Sequence, residues 1–468
     1  MLFNSIHFLY FYIIVLVIYF ITSYKYRWII LLLSSYYFYM NWNVNYVFLI
    51  LFTTIISYVT AIKIENSSNA TTRKMYLMIS IVTSLGVLFF YKYFNFFGSS
   101  INSLISYIDA DVKIPYLNFL LPVGISFYTF QTLSYSIDVF NNKIKTERHF
   151  GIYALYVSFF PQLVAGPIER STRLLPQFRE RHKINLDDFV IGLKWVILGF
   201  FMKLVVADRL SLYVDSVYNN VYEHTGASFL MATFLFAFQI FGDFAGYSSI
   251  AIGVARIMGY KLMTNFNRPY FASSISDFWR RWHISLSTWF RDYFYIPMGG
   301  SKVKVSRWYL NLFLTFLVSG LWHGANWTFV VWGALHGIYI MAENFFKLGG
   351  KERALSFFER VLRGFIVFVL ADFAWIFFRA NNINEAFYIV KHILNINTSL
   401  FLESRVFFYG FIGLIILLIN DIIIEKSHNS SILNNKLTMK VAAYFAFLVC
   451  LILFIGVFNG GQFIYFQF

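Results

Sequence analysis

An all-α bundle of membrane-spanning helices is the fold class this sequence predicts, and three observations predict it. Of 468 residues, 59% are hydrophobic and only 13% charged, against roughly 45–50% and ~25% in a soluble domain. The apolar residues gather in runs long enough to cross a hydrocarbon core of ~30 Å. Most of the Lys and Arg behind the net charge of +15 lie between those runs. This composition excludes a soluble enzyme, a disordered chain and a nucleic-acid-binding module; membrane lipids are the implied surroundings. A single cysteine, Cys450, excludes a disulfide framework and a Cys-based metal site. Length alone suggests several soluble domains, but a helical membrane bundle is read as one integral domain over 1–468.

The runs follow in order. The first, residues 5–22, has no basic segment before it and no small-x-small cleavage site after it, so it reads as a retained span and not a signal peptide. Eleven more lie at about 28–42, 45–62, 75–97, 116–140, 188–207, 228–250, 308–323, 327–345, 363–380, 406–424 and 440–458, and two of these (28–42 and 308–323) are short enough to be partial or re-entrant. The connections sort by charge. Lys25 and Arg27, then Lys63, Arg73 and Lys74, then Lys143, Lys145 and Arg148 alternate with connections lacking a basic excess: 41–45, 98–115 with Asp109 and Asp111, and 213–226 with Asp215 and Glu223. Basic connections stay cytoplasmic. The N-terminus is therefore expected outside, the 425–440 connection (Lys426, Lys436, Lys440) inside, and the C-terminal tail, 459–468, outside.

Two stretches fit no simple span. Residues 151–183 hold Pro161, Gly166 and Pro167 and then a basic cluster; residues 256–307 are basic and Trp-rich. Irregular backbone at membrane depth lines cavities or is buried by protein, so both are candidate site walls. Within the second, DFWRRWHISLSTWFRDYFY (277–295) places Trp279, Trp282, His283, Leu286, Phe290 and Tyr293 on one face of a predicted amphipathic helix, with Asp277 as its N-cap. That helix reads as an interfacial anchor. His283 on its apolar face reads as a satisfied structural residue before it reads as a catalyst.

The segment SGLWHGANWTFVVWGALHG (319–337) ends one run at His323, breaks at Gly324, Ala325 and Asn326, and starts the next at Trp327. Ionisable residues inside spans are costly and mark function by default. Gly320 and Gly324 allow close approach to His323. His336, 13 residues on, reads as packing or as a partner that orients His323. A neutral imidazole in a dry cavity suits general-base work. There is no nucleophile elbow, no paired-histidine metal spacing and no phosphate loop. Asp138, Lys203, Asp208, Asp243 and Asp372 are intramembrane charges that read as hydrogen-bond nodes, and Gly242–Asp243 is expected to break its span. The chain ends GGQFIYFQF, an aromatic anchor or a tail folded back into a cavity.

Five blocks together resemble the membrane-bound O-acyltransferase family, in its bacterial alginate and peptidoglycan O-acetyltransferase branch: LPVGISFYTFQTLSYSIDVF (121–140), FFPQLVAGPIER (159–170), FWRRWHISLSTWFRDYFYIPMGG (278–300), the His323 segment, and AWIFFRA (374–380). They define a motif-bearing core at 121–380. The resemblance implies a ring of tilted helices around a thinned central tunnel, His323 as principal catalytic residue and His283 as the second. It implies acetyl-CoA as a cytoplasmic donor substrate, with no bound cofactor and no metal. Arg280 and Arg281, with Trp279, Trp322 and Asn326 beside the motif histidines, are the candidate substrate-binding residues; the two arginines are nominated by charge. FIYFQF resembles the C-terminal motif of the small partner used in teichoic-acid D-alanylation, which makes Tyr465 a candidate acyl relay.

The expected function is transfer of acetyl across a bacterial inner membrane for O-acetylation of an envelope or exported polysaccharide, completed by a separate extracytoplasmic transferase of hydrolase fold. D-alanyl transfer to teichoic acid is one alternative. A lipid-linked sugar transporter is the other, against which stands the lack of a repeat in the sequence.

Overall fold

The computed structural model describes residues 1–106, 113–164, 166–348, 356–395, 400–401, 404–426, 433, 437–458 and 463–464. Among them every regular element is a helix. The chain divides into two compact units, Met1–Asn185 with Met258–Leu262, and Leu186–Ile257 with Met263–Phe468.

The first unit holds α1 (Ile6–Ile21), α2 (Arg27–Met40), α3 (Tyr46–Asn66), α4 (Ala70–Leu88), a π-helical turn (Phe89–Tyr93), α5 (Phe94–Ile105), α6 (Ile125–Phe140), α7 (Phe150–Ser158), α8 (Phe160–Leu163) and α9 (Ser171–Gln177). Local chemistry sets several starts. The Ser5 side chain accepts the Phe8 N–H and the Asn69 side chain that of Thr71, satisfying donors a helix leaves open. The span expected at 116–140 is helical only from Ile125. Before it, Pro115 and Pro122 disfavour helix, and two asparagines take over the backbone pairing. Asn102 exchanges hydrogen bonds of 2.8 and 2.9 Å with the main chain of Ile114, and Asn95 does the same with Leu117 at 2.7 and 2.9 Å. The main-chain groups of Ile114 and Leu117, within an apolar run that is not helical, are thereby paired.

The second unit holds α10 (Leu186–Phe200), a π-helical segment (Phe201–Ala207), α11 (Asp208–Tyr218), α12 (Gly226–Ile257), α13 (Ile275–Arg281), α14 (Ile284–Phe290), a second π segment (Arg291–Tyr295), α15 (Val305–His323), α16 (Trp327–Phe345), α17 (Phe357–Arg379), α18 (Ile383–His392), α19 (Ser404–Lys426) and α20 (Met439–Ile455). Among the described residues six stretches are long and apolar enough to cross a membrane: Tyr46–Asn66, Ala70–Ile105, Leu186–Tyr218, Gly226–Ile257, Phe357–Arg379 and Phe407–Lys426. Ile6–Ile21, Phe150–Leu163 and Met439–Ile455 are apolar but shorter. Several runs counted separately in the sequence therefore fold as less than a full span.

α12 corrects one expectation. It runs through Gly242 and Asp243 without interruption for 32 residues. Glycine serves close approach here and not a break: a Cβ on Gly242 would lie 3.0 Å from the Met202 carbonyl oxygen. The seam continues along the helix. A Cβ on Gly199 of α10 would lie 2.6 Å from the Gly246 carbonyl oxygen, and one on Gly192 2.7 Å from that of Gly253. Small residues at matching intervals let two apolar helices meet backbone to backbone, which supplies dispersion where lipid removes the hydrophobic drive.

Adding one methyl at this seam is expected to lower stability by about 1–3 kcal/mol. The check is the thermal midpoint of Gly199→Ala in detergent beside Gly86→Ala in α4, whose Cβ would meet nothing within 4 Å. The first is expected to fall and the second to hold or rise. Equal midpoints would remove the seam.

Candidate active site

α15 and α16 form a hairpin that breaks where the Gly-Ala-Asn spacing predicts. Asn326 caps α16, its side chain accepting the Thr328 N–H at 3.1 Å and donating to the Asn381 carbonyl at 3.0 Å. The two helices touch at Gly320 and Gly333. A Cβ on Gly320 would collide with the Phe329 carbonyl oxygen, and one on Gly333 would lie 2.5 Å from that of Phe316 and 3.1 Å from the Gly320 Cα. This contact draws the end of α15 onto α16. The His323 ring centre lies 4.9 Å from that of Trp332, 5.0 Å from Trp322 and 5.4 Å from Phe378 of α17. His323 is 2% exposed, within an aromatic box.

His283 reaches the same place by another route. The single helix expected over 277–295 is two helices, and Asp277 is not the cap: Ser274 caps α13, its side chain accepting the Asp277 N–H at 3.0 Å. The break falls on His283, which adopts φ 42°, ψ 54° and starts α14. Left-handed backbone in a residue other than glycine costs energy and persists where the surroundings enforce it. Buried Asn265 enforces it. Its main-chain carbonyl accepts the Ile284 N–H at 2.9 Å. Its side-chain oxygen accepts from the Ser285 N–H at 3.2 Å and the Ser285 hydroxyl at 2.9 Å, and its amide donates to Ser248 at 3.1 Å. The period of 3.6 passes through such a turn unaltered, so spacing alone does not reveal it.

The turn aims the His283 ring at His323, with centres 6.2 Å apart, and against Phe244 at 4.5 Å. Burial among aromatic rings pushes the His283 imidazole down to about 3, because removal from water penalises the cation. It is neutral at physiological pH, as an acceptor of protons must be. Two buried imidazoles at this separation can address one small carbonyl or hydroxyl between them.

His336 sits on the other side of Trp332, ring centres 4.9 Å apart, and its Nδ1 accepts from the Trp279 indole N–H at 3.3 Å. That bond assigns the other ring nitrogen as the protonated one. Trp279 also lines a cavity of about 300 Å³ shared with Ser276, Arg280, Ser287, Arg291 and Ser319. Ser319 lies one turn before His323 on α15. Of the candidate binding residues, Trp279 and Arg280 therefore line this cavity, and Trp322 stands 6.0 Å from His283, ring centre to ring centre. Arg281 faces elsewhere, pairing with Asp277 at 3.0 Å and with Glu425 at 3.1 Å, while Asn326 serves its cap. Tyr465 and most of the 459–468 tail lie outside the described residues, as do Asp109, Asp111 and Lys436. Phe463 and Ile464 are described and buried. Among the described residues no three His, Cys, Asp or Glu side chains cluster as a metal site requires.

Asn265, Phe244, Trp332 and Phe378 are site residues that sequence reasoning missed. Asn265→Ala frees the His283 turn without touching either imidazole. It is expected to lower kcat roughly 10- to 100-fold through misplacement alone, with KM little changed. Unaltered kcat would show that the turn does not matter.

Comparison with known proteins gives the family. A sequence model of the MBOAT, membrane-bound O-acyltransferase family, matches residues 144–384. The chain is 37% identical over 401 residues to the probable alginate O-acetylase AlgI of Pseudomonas aeruginosa, covering 85% of this chain and 76% of that protein. It is 34% identical over 397 residues to the peptidoglycan O-acetyltransferase of Helicobacter pylori, covering 78% and 73%. It is 29% identical over 245 residues to the teichoic acid D-alanyltransferase of Bacillus subtilis, covering 50% and 62%. With an all-helical multi-pass architecture and both motif histidines buried in one aromatic box, this chain belongs to the membrane-bound O-acyltransferase family and is an acyltransferase.

Proposed function

We propose that this acyltransferase moves acetyl from cytoplasmic acetyl-CoA across a bacterial inner membrane, for O-acetylation of an envelope or exported polysaccharide of the peptidoglycan or alginate type. The observation that carries the reading is the convergence of His283 and His323, ring centres 6.2 Å apart, from separate helices onto one buried point. The cavity at Trp279 and Ser319 supports access for a thioester, and Arg280 and Arg291 on its wall suit a phosphate-bearing donor. Acetyl is favoured over D-alanine because relatives named for O-acetylation match at 34–38% identity over most of the chain. The D-alanyltransferase of Bacillus subtilis matches at 29% over half of it.

The tail supplies the acceptor in this reading. His323 takes the proton of the Tyr465 phenol as its oxygen attacks the thioester carbonyl. The C–O bond forms, the C–S bond breaks, and the departing CoA thiolate takes the proton back from the imidazolium. His283, neutral beside it, holds the carbonyl or the attacking group in line. The product is acetyl-Tyr465, a phenyl ester and so a good donor. Basic connections inside put both chain termini outside, where a separate extracytoplasmic transferase of hydrolase fold passes acetyl to a glycan hydroxyl. That second step cleaves the ester, transfers acetyl to the sugar oxygen and returns the proton to the phenol.

The test uses the full chain in detergent with acetyl-CoA labelled on the acetyl group. The parent is expected to release CoA and to carry label on Tyr465 by intact mass and peptide mapping. His323→Ala is expected to lose about three orders of magnitude in CoA release, as removal of a general base does when other terms remain. Tyr465→Phe is expected to lose the label. Parent-like turnover in His323→Ala would end the mechanism, and label retained in Tyr465→Phe would end the relay. Labelling by D-alanyl donors in place of acetyl-CoA would transfer the case to D-alanylation.

A further inference from the structure

Three of the intramembrane charges meet at one point. Lys203 Nζ lies 2.6 Å from Asp243 and 2.7 Å from Asp208, and none of the three side chains is more than 4% exposed. They come from three elements: the π segment after α10, the start of α11 and the middle of α12. One ammonium, with three N–H donors, faces the four oxygens of two carboxyl groups, so acceptors are in surplus. A buried surplus is costly unless donors meet it, and an ion cluster of this kind is a poor device for stability alone. Its best-attested use is to set register.

The donor that meets it comes from the far end of the chain. The main-chain N–H of Ile464 donates to the second carboxylate oxygen of Asp243 at 2.7 Å. The segment leading there is fastened to the same region. The Val457 N–H donates to the Leu204 carbonyl at 3.0 Å, a carbonyl within the π segment, and the Arg209 guanidinium donates to the Ile455 carbonyl. Phe463 is fully buried, its ring centre 4.5 Å from that of Tyr247 and 5.6 Å from that of Phe244. Phe244 is the ring that packs on His283 at 4.5 Å. Here residues 463 and 464 are buried and held by a charge-assisted bond to a buried carboxylate.

We propose that the Lys203–Asp208–Asp243 cluster is a positioning anchor for the C-terminal tail, in which Lys203 holds the Asp243 carboxyl in place through one oxygen and the other oxygen captures the Ile464 N–H beside the His283 wall of the site. The residue that follows Ile464 is Tyr465. The catalytic consequence rests on the relay reading given above; the anchoring stands on the bonds themselves. Tyrosine delivered by a tethered main chain arrives at high effective concentration and in one orientation, which is the larger part of what an acceptor held on its own protein gains.

Two full-length variants isolate the donor. Ile464→Pro removes the N–H and leaves all three charges in place; Ile464→Val keeps the N–H. In detergent, Ile464→Pro is expected to lose residues 466–468 to carboxypeptidase roughly tenfold faster than Ile464→Val, the size expected for one charge-assisted hydrogen bond. Its kcat for acetyl transfer from acetyl-CoA is expected to fall by a similar factor with KM unchanged, a split that general destabilisation would not produce. Equal trimming in the two variants would overturn the anchor. Faster trimming of Ile464→Pro with equal acetyl transfer would uphold the anchor and remove the relay instead.

Discussion

The contact between Gly320 and Gly333 is the constraint on which the site depends. It lets α15 and α16 meet at backbone distance, and only then does the end of α15 bring His323 under Trp332. Any side chain at either position would push the hairpin apart by the width of a methyl group or more, and the imidazole would leave its box. The packing is dispersive and short-ranged, so it works only at full contact. From this fixed point the rest follows. Trp332 separates His323 from His336, and His336 holds Trp279, which forms the wall of the neighbouring cavity.

The second imidazole depends on strain, and hydrogen bonds hold the strain in place. His283 sits in left-handed backbone because Asn265 ties the Ile284–Ser285 side of the turn and the Asn267 N–H donates to the Arg281 carbonyl on the other, while Glu343 accepts the first N–H groups of α13 and fixes that helix against α16. Glu425 of α19 joins Arg268 and Arg281 and closes the outer face of α13. Glu343 thus falls on a helix start and Glu425 between two cations, where each finds donors. The site itself is lined by rings. Such a lining leaves little water to compete with any charge that develops inside it.

Much of this was legible in the sequence. Composition and run length lead to a multi-pass helical bundle, and the His-Gly-Ala-Asn-Trp order marks the end of α15 and the start of α16 where the structure has them, though not the cap at Asn326. What escaped was what periodicity does not carry. The turn at His283 leaves the spacing of Trp279, Trp282 and Leu286 intact, so one helix and two helices look alike. The stretch before Ile125 is apolar enough for a span, and its non-helical course is held by Asn95 and Asn102 pairing with main chain some 12 to 22 residues away. Lys203, Asp208 and Asp243 were each visible as an intramembrane charge, but a meeting that includes a residue 221 positions further on is a tertiary fact. Asn265 carries no signature of its own in a single sequence.

The most direct measurement is a cryo-electron microscopy map of the full chain with a non-cleavable thioether analogue of acetyl-CoA. The acyl carbonyl is expected between the His283 and His323 rings, within hydrogen-bond reach of His323, with the pantetheine arm leaving through the cavity beside Trp279 and Ser319. An analogue whose acyl end rests elsewhere, with both imidazoles still enclosed by Trp332, Phe378 and Phe244, would contradict the claim that these two rings act on one substrate group.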